Sequence, residues 1–599
     1  MEEKTKWRKV DLHVHSLYSK VEGKVLKKII QSESYTSPRE IYQVAKKRGM
    51  DFVTITDHNS IQGALQIAQL PGVFISEEVT AKFPEDGCLI HLITLKINET
   101  QHQEIQNLKD NIYELVKYLT SQDIIFFVAH PLASVNGKLK EEHWEKMLLL
   151  FDIFEVKNGV QKEKDNLLVE KILKTLSPQK IGELANKYDI TPLSKTPWIK
   201  SMVGGSDDHG GLFIGKTYTV GEGSCLNSFL KFIKEGKCKP QGKGGTYFTV
   251  GNSIYATGYR FYKNRFKKRI SLNFLDKILS DERKGKILEK IFLNNGRKGP
   301  LFFPKNFLIS YVIKKFSKKM PLLHILRTVR KFNKNLPSYA ILFPYFYGFV
   351  YQNKDQNFTK RVKRGYLNLG EPLKVAVFAD TAWDKKDFSS PFFDRSHLFP
   401  EDEEVEILCC AKKKNFSEKG LKLFHSVADF PFPFFPQINL YIPSLLEVLI
   451  YCEKKEFTVL HVLTPGSMGI TGILVSKILK LPIIGTYKTD FSNLIASSDG
   501  DGGFKNMVDW YLGWFYNQMD KVVVDSKRYF DKLKDKNISQ EKITIIPKQA
   551  DHDSSYDLFP LLNQIPQDIF ETNMFNKLRE VYKEILQLQK FETLSPVTY

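Results

Sequence analysis

Short apolar runs, each closing on a polar cluster, recur through the first third of the chain. The first is Val10-Asp11-Leu12-His13-Val14-His15. Alternate residues of a strand share a face, so His13 and His15 aim two imidazoles at one point. Asp51 to Thr56 then leads to Asp57-His58, and Val73 to Ser76 leads to Glu77-Glu78-Val79-Thr80. Cys88-Leu89-Ile90 precedes His91, Ile124 to Ala129 precedes His130-Pro131, and Met202 to Ser206 precedes Asp207-Asp208-His209. Helical patterns lie between several of these runs. Ser37-Pro38-Arg39-Glu40 combines a capping serine, a first-turn proline and a capping-box glutamate, and predicts a helix toward Gly49. A second periodic segment runs from Glu104 to Leu119. Strands alternating with helices, with polar groups at the carboxyl ends of the strands, predict a (β/α) barrel with a site at one mouth.

Histidine with carboxylate is a donor set for zinc, manganese or iron, and the sequence does not choose among them. The ordered motifs His-x-His, Thr-Asp-His, Glu-Val-Thr, His, Ala-His-Pro and Gly-Ser-Asp-x-His resemble those of the polymerase-and-histidinol-phosphatase (PHP) superfamily over roughly residues 5–225. The resemblance implies a distorted (β/α)7 barrel and a cluster of two or three metals that hydrolyses phosphoesters. It also implies a ligand set. His13, His15, Glu78 and Asp207 would hold one metal. Glu78 would bridge to a second, completed by His91 and His130, while His58 and His209 belong to a weaker third position. Paired cations would neutralise a phosphate dianion and lower the pKa of a water between them. Where relatives read Ser-x-x-Ser-Asp, this chain has Ser16-Leu17-Tyr18-Ser19-Lys20. The expectation is therefore a binuclear site in which the Lys20 ammonium meets the substrate phosphate, with Glu22 as a substitute carboxylate. Asp57 joins Lys20 as a candidate catalytic residue.

Composition alters the picture in one region. Residues 251–370 hold 27 Lys and Arg against five Asp and Glu, so they carry essentially all of the net charge of +20. There the cations alternate with Phe, Leu and Tyr, as in Leu301 to Ile309 and Lys314 to Met320. That mixture fits an anionic membrane surface, or a connector whose apolar residues pack on the barrel. Nucleic acid is the least favoured partner, because no recognised motif accompanies the charge. The six cysteines are scattered apart from Cys409-Cys410, which suggests reduced thiols. The first residues have no apolar core, and no apolar run spans a bilayer. A cytoplasmic protein, peripheral at a membrane if the basic region binds lipid, is the expectation.

From Leu373 the pattern becomes that of a doubly wound α/β domain. Lys374 to Phe378, Val405 to Leu408, Thr458 to Val462, Leu481 to Tyr487, Val522 to Val524 and Ile543 to Ile546 read as strands. Residues 373–552 resemble the amino-terminal, acceptor-side half of a GT-B retaining glycosyltransferase. Two departures stand out: Ala382-Trp383-Asp384-Lys385-Lys386 lacks the family's glycine, and Lys488 stands where relatives have histidine. Too little sequence follows Asp551 for a second nucleotide-sugar domain, so the expectation is either that a separate glycosyltransferase partner chain supplies it or that this half is a degenerate binding platform. The predicted organisation is α/β throughout. A barrel (1–245) is followed by a basic, mainly helical connector (246–370), a Rossmann-like GT-B half-domain (371–555) and a helical tail (556–599). The function expected is phosphoester hydrolysis of a phosphorylated sugar, nucleotide or lipid-linked intermediate. The alternative is a glycosyltransferase component with an accessory barrel.

Overall fold

The computed structural model describes residues 6–20, 32–266, 336–367, 372–380, 404–411, 420–432, 435–487, 502–546 and 572–592. Two compact units divide the chain, Met1–Asn368 and Leu369–Tyr599. The expectations placed on Glu22, residues 301–320, Ala382–Lys386 and Lys488 lie outside the described residues.

In the first unit, β1 (Lys6–Val10) pairs antiparallel with β7 (Tyr218–Gly223), which pairs antiparallel with β8 (Lys239–Gln241). A five-stranded sheet holds β2 (Ser76–Lys82), β3 (Leu89–Leu95), β4 (Ile125–Val128), β5 (Ile153–Asn158) and β6 (Ser201–Gly205) in that order. Its first two pairings are antiparallel and its last two parallel. Two extended segments link the ends of this sheet. Asp207 N–H donates to His13 O and His15 N–H to Asp208 O, at 2.7 and 3.1 Å. Thr56 N–H donates to Val14 O at 2.8 Å, and Glu78 N–H to Asp57 O at 3.2 Å. Residues 51–56, which read as a strand in sequence, form only the isolated bridge Val53 to Val73.

The helix at Pro38–Lys47 starts where the sequence predicts, with the Ser37 hydroxyl accepting from Glu40 N–H. The segment predicted as one helix from Glu104 is two, Glu99–Leu108 and Ile112–Ser121, because Asn98 and Asn111 each cap a new start. The core includes one large cluster around Trp144, Phe151 and Phe154, a second around Val10, Leu12 and Phe127, and a third around Val14, Ile41 and Ile55. Helices Tyr247–Phe266, Leu336–Asn353 and Gln356–Leu367 also lie in the first unit. Phe358 and Val362 join the large cluster, and Tyr345 meets Phe248 and Tyr255 edge-on or tilted. No helix among the described residues is long and apolar enough to cross a membrane.

The second unit is an eight-stranded sheet. Its strands are β9 (Lys374–Phe378), β10 (Glu404–Ala411), β11 (Leu421–Phe432), β12 (Phe435–Pro443), β13 (Val459–Val462), β14 (Ile483–Tyr487), β15 (Lys521–Val524) and β16 (Ile543–Ile545). The spatial order is β12-β11-β10-β9-β13-β14-β15-β16, parallel except at β11–β12. Strand order reverses between β9 and β13, which is the switch point of a doubly wound sheet. The helix Thr572–Glu592 packs Leu578, Val581, Tyr582 and Ile585 against Val375, Val377 and Val459 of the sheet.

Candidate metal centre

His13 and His15 follow β1 on an extended segment, and both are fully buried. Glu78 lies on β2, where Glu77 alternates to the opposite face and takes His102 and Gln106 as partners. His91 is on β3, His130 follows β4, and Asp207 with His209 follows β6. The fold thus brings together all eight residues that the motifs single out as ligands.

The two oxygens of Glu78 face different histidines. Oε2 lies 3.3 Å from His13 Nε2, 3.2 Å from His15 Nε2 and 3.2 Å from His58 Nδ1. Oε1 lies 2.9 Å from His91 Nδ1 and 3.3 Å from His130 Nε2. Asp207 Oδ1 stands 3.4 Å from the Nε2 atoms of both His13 and His15, and 3.6 Å from His209 Nδ1. Candidate ligand atoms gather within 4.8 Å in four overlapping groups: His13-His15-Glu78, His13-His130-Asp207, His58-Glu78-His91 and His15-His58-His209.

Electrostatics follow from this crowding. Burial alone would raise Glu78, but His58, His91 and His13 hold it well below the ordinary carboxylate range. Burial would likewise lower His13, yet Asp207, Glu155 and Glu78 hold it well above its usual value. Among the described residues no group meets His15 Nε2, His58 Nδ1 or His130 Nδ1 in hydrogen-bonding geometry, although Glu78 Oε2 lies close to the first two. Buried imidazole lone pairs and carboxylates converging on a few points fit divalent cations, since a cation satisfies donors that have no proton to share.

Two further acids that contact the histidine cluster escaped the sequence reading. Glu33 places Oε2 3.3 Å from His58 Nε2 and 3.8 Å from His209 Nε2, which puts a carboxylate beside both of these imidazoles. It sits in a loop after a gap in the periodic pattern, and no spacing signal marks it. Glu155 on β5 lies 3.1 Å from His13 Nδ1 and accepts from His130 N–H and Asn158 Nδ2, each at 2.9 Å. Its signal was a lone acid inside the apolar run Ile153-Phe154-Glu155-Val156, a buried charge that requires partners.

Asp57 is placed otherwise than a catalytic role would require. It is fully buried, and its oxygens accept from Ser16 N–H and Oγ–H at 2.5 and 2.6 Å. Burial pushes its carboxyl up to about 6. Its position ties residues 13–16 to 57–58. Lys20 is exposed, with its backbone N–H directed to His58 O at 3.5 Å.

The family model of Glycosyltransferase Family 4 matches residues 397–554. Over 176 residues the chain is 30% identical to the uncharacterized protein MJ1587 of Methanocaldococcus jannaschii, spanning 29% of this chain and 95% of that one. Among solved structures, a protein provisionally described as a metal-dependent phosphoesterase from Bifidobacterium adolescentis aligns with 14% identity, 34% of this chain, 88% of that chain and a TM-score of 0.21. HepE of Anabaena, in complex with UDP, aligns with 14% identity over 29% of this chain and 44% of its own, with a TM-score of 0.19. PsfC of Pseudomonas syringae aligns with 15% identity over 43% of this chain and 98% of its own, at 0.27. Overlaps this slight carry no weight for mechanism, whereas the motifs and their convergence do. The chain belongs to the family of MJ1587, and it joins a PHP-type histidine–carboxylate segment to a Glycosyltransferase Family 4 segment.

Proposed function

We propose that the first unit is a metal-dependent phosphoesterase acting on a phosphorylated small molecule or lipid-linked intermediate. The observation that carries this reading is Glu78, whose two oxygens each face a separate group of imidazoles. In this reading the closed circuit of hydrogen bonds through residues 13–15 and 53–58 is the distorted seven-stranded barrel. His13, His15, Glu78 and Asp207 hold one divalent metal (zinc, manganese or iron). Glu78, His91 and His130 hold a second, and His58, His209 and Glu33 form a weaker third position. When bound, such a pair neutralises phosphate charge and supplies a water acidic enough to attack near neutral pH. The chain's own residues prepare the ligands. Glu155 accepts from His13 Nδ1–H, which fixes the tautomer that presents Nε2, and the Ser19 hydroxyl 3.2 Å from His15 Nδ1 orients that ring. Lys20, exposed beside His58, meets the phosphate as it enters.

Phosphate release from a panel of phosphoesters in the presence of manganese tests the proposal. Turnover that disappears in Glu78→Gln supports it, and no turnover of any phosphoester overturns it.

A second reading rests on the match at residues 397–554. The second unit would be the acceptor-side half of a GT-B glycosyltransferase, working with a nucleotide-sugar domain. Glycosyl transfer that appears only when a nucleotide-sugar domain is added would support it. Peripheral attachment to an anionic membrane through the basic region is compatible with either reading, and loss of vesicle binding on deleting residues 300–351 tests it.

A further inference from the structure

Asn158, the last residue of β5, touches two acids of the histidine cluster at once, and it is fully buried. Its Nδ2 donates to Glu155 Oε2 at 2.9 Å and to Asp207 Oδ2 at 3.1 Å. Its Oδ1 accepts from Val160 N–H at 2.8 Å and from Gln161 N–H at 3.1 Å. An amide has two donor hydrogens and two acceptor lone pairs, so all four are used. The reversed orientation would set Oδ1 against two carboxylates. The backbone is clamped as well: Asn158 N–H donates to Asn166 Oδ1 at 3.3 Å, and Asn166 Nδ2 to Asn158 O at 2.9 Å.

A strand irregularity brings Glu155 and Asn158 to one side. Residues three apart on a regular strand face opposite ways. The β5–β6 register shifts between Glu155 and Lys157, whose partners Val203 and Gly204 are consecutive, so one extra residue reverses the alternation. Asn158 then pairs with Gly205, two residues before Asp207. The consequence falls on Asp207. Its Oδ2 is taken by Asn158, while its Oδ1 stands 3.4 Å from the Nε2 atoms of His13 and His15. The same amide steadies His13 through Glu155, whose Oε1 lies 3.1 Å from His13 Nδ1. A neutral donor suits this place. An ammonium would cancel the negative charge that attracts a cation, whereas an amide orients both carboxylates and leaves their charge intact.

We propose that Asn158 is a positioning residue of the metal centre. It reserves Asp207 Oδ1 for the cation shared with His13 and His15, and holds Asp207 to ligation through one oxygen. This rests on the proposed function for Asp207 being a metal ligand, but not for any phosphoester being cleaved. The turn at Val160 and Gln161 accounts only for the acceptor side of the amide. The donor side is directed to the two acids, which a residue serving the turn alone would not require.

The test follows cobalt(II) binding to the full chain, stripped of metal by a chelator, in wild type, Asn158→Ser and Asn158→Asp. Serine keeps a weaker form of the turn and removes the donor without adding charge. Aspartate keeps the turn's acceptor and directs an oxygen at Glu155 and Asp207, so it decides the matter if Asn158→Ser fails to fold. Wild type is expected to bind about two cobalt ions per chain. In either variant one ion should bind about ten- to a hundredfold more weakly, and the other within about twofold of wild type. The visible cobalt spectrum at saturation should change too, because a released Oδ2 lets Asp207 ligate through both oxygens. Wild-type affinities and spectrum in a folded variant, even one of lower stability, would mark a structural role and overturn the proposal. Equal weakening of both ions, or a wild type that binds no cobalt, also overturns it. Phosphate release from p-nitrophenyl phosphate with manganese reports separately on the phosphoesterase reading. Altered cobalt binding without turnover of any phosphoester would end that reading and leave the role of Asn158 standing.

Discussion

At the scale of single residues, Glu78 is the group on which the site turns. Replacing it with Gln keeps its size and removes its charge, and about two metals per chain should be lost together, as read by elemental analysis of the purified protein. His58→Ala should spare the inner pair and lower only occupancy of the outer position. Glu78→Gln with full metal content would refute the bridging assignment. A second residue-scale consequence concerns Lys200. Its ammonium is buried against Leu148 O and Phe151 O, with Asp152 3.6 Å away. Burial, only partly offset by Asp152, lowers it from 10.5 to about 8. Between those values the unfolded chain binds the proton and the folded chain does not, so this group makes stability rise with pH from about 8 to about 10.5. Urea unfolding across that range should show the rise in wild type and a flatter profile in Lys200→Met. The convergence of His13 and His15 was legible in sequence because residues two apart on an extended segment share a side, whereas the rest of the candidate set followed from the resemblance of the ordered motifs. Glu33 was not legible, since only tertiary packing carries that loop to His58. Glu155 was half legible, as a charge inside an apolar run whose partners lie on other strands.

At the scale of elements, strand β6 approaches the first ligand segment at Gly205. A methyl group added there would fall 2.3 Å from His13 Cβ and 2.8 Å from His13 N. Gly205→Ala should therefore push β6 away from His13, with a loss of about 1–3 kcal/mol by urea denaturation and weaker metal retention after dialysis. Unchanged stability would show that the approach is looser than described. The strands and capped helices of the first unit were readable because alternation and the Ser37 cap are local signals. The split of the segment after Glu104 was missed because its apolar period continues across the break, and Asn111 gives a single weak sign of a new start. The strand predicted at residues 51–56 reduces to one bridge, since its backbone bonds reach Lys9 and Val14 on one side and Gly72 on the other without a regular ladder.

At the scale of the whole molecule, two units imply two unfolding events. Metal bound to the first unit alone should raise only that unit's transition, by about 2.7 kcal/mol at a hundredfold excess over Kd. Calorimetry with and without chelator checks this, and a shift of both transitions would argue against independent units. The doubly wound character of the second unit was legible in its alternating strand and helix runs, and the switch between β9 and β13 comes from the spatial order of the sheet. The place of residues 336–367 was not legible: basic and aromatic residues at that spacing suit a lipid surface and a protein surface equally, and only packing of Phe358 and Val362 distinguishes them. The position of the helix Thr572–Glu592 has a consequence for biosynthesis. Its Tyr582 hydroxyl meets His461 Nδ1 at 2.6 Å, and its apolar face covers β9 and β13. A nascent polypeptide halted near residue 560 would thus present a finished first unit and a naked sheet in the second, open to proteases and chaperones until one further helix left the ribosome.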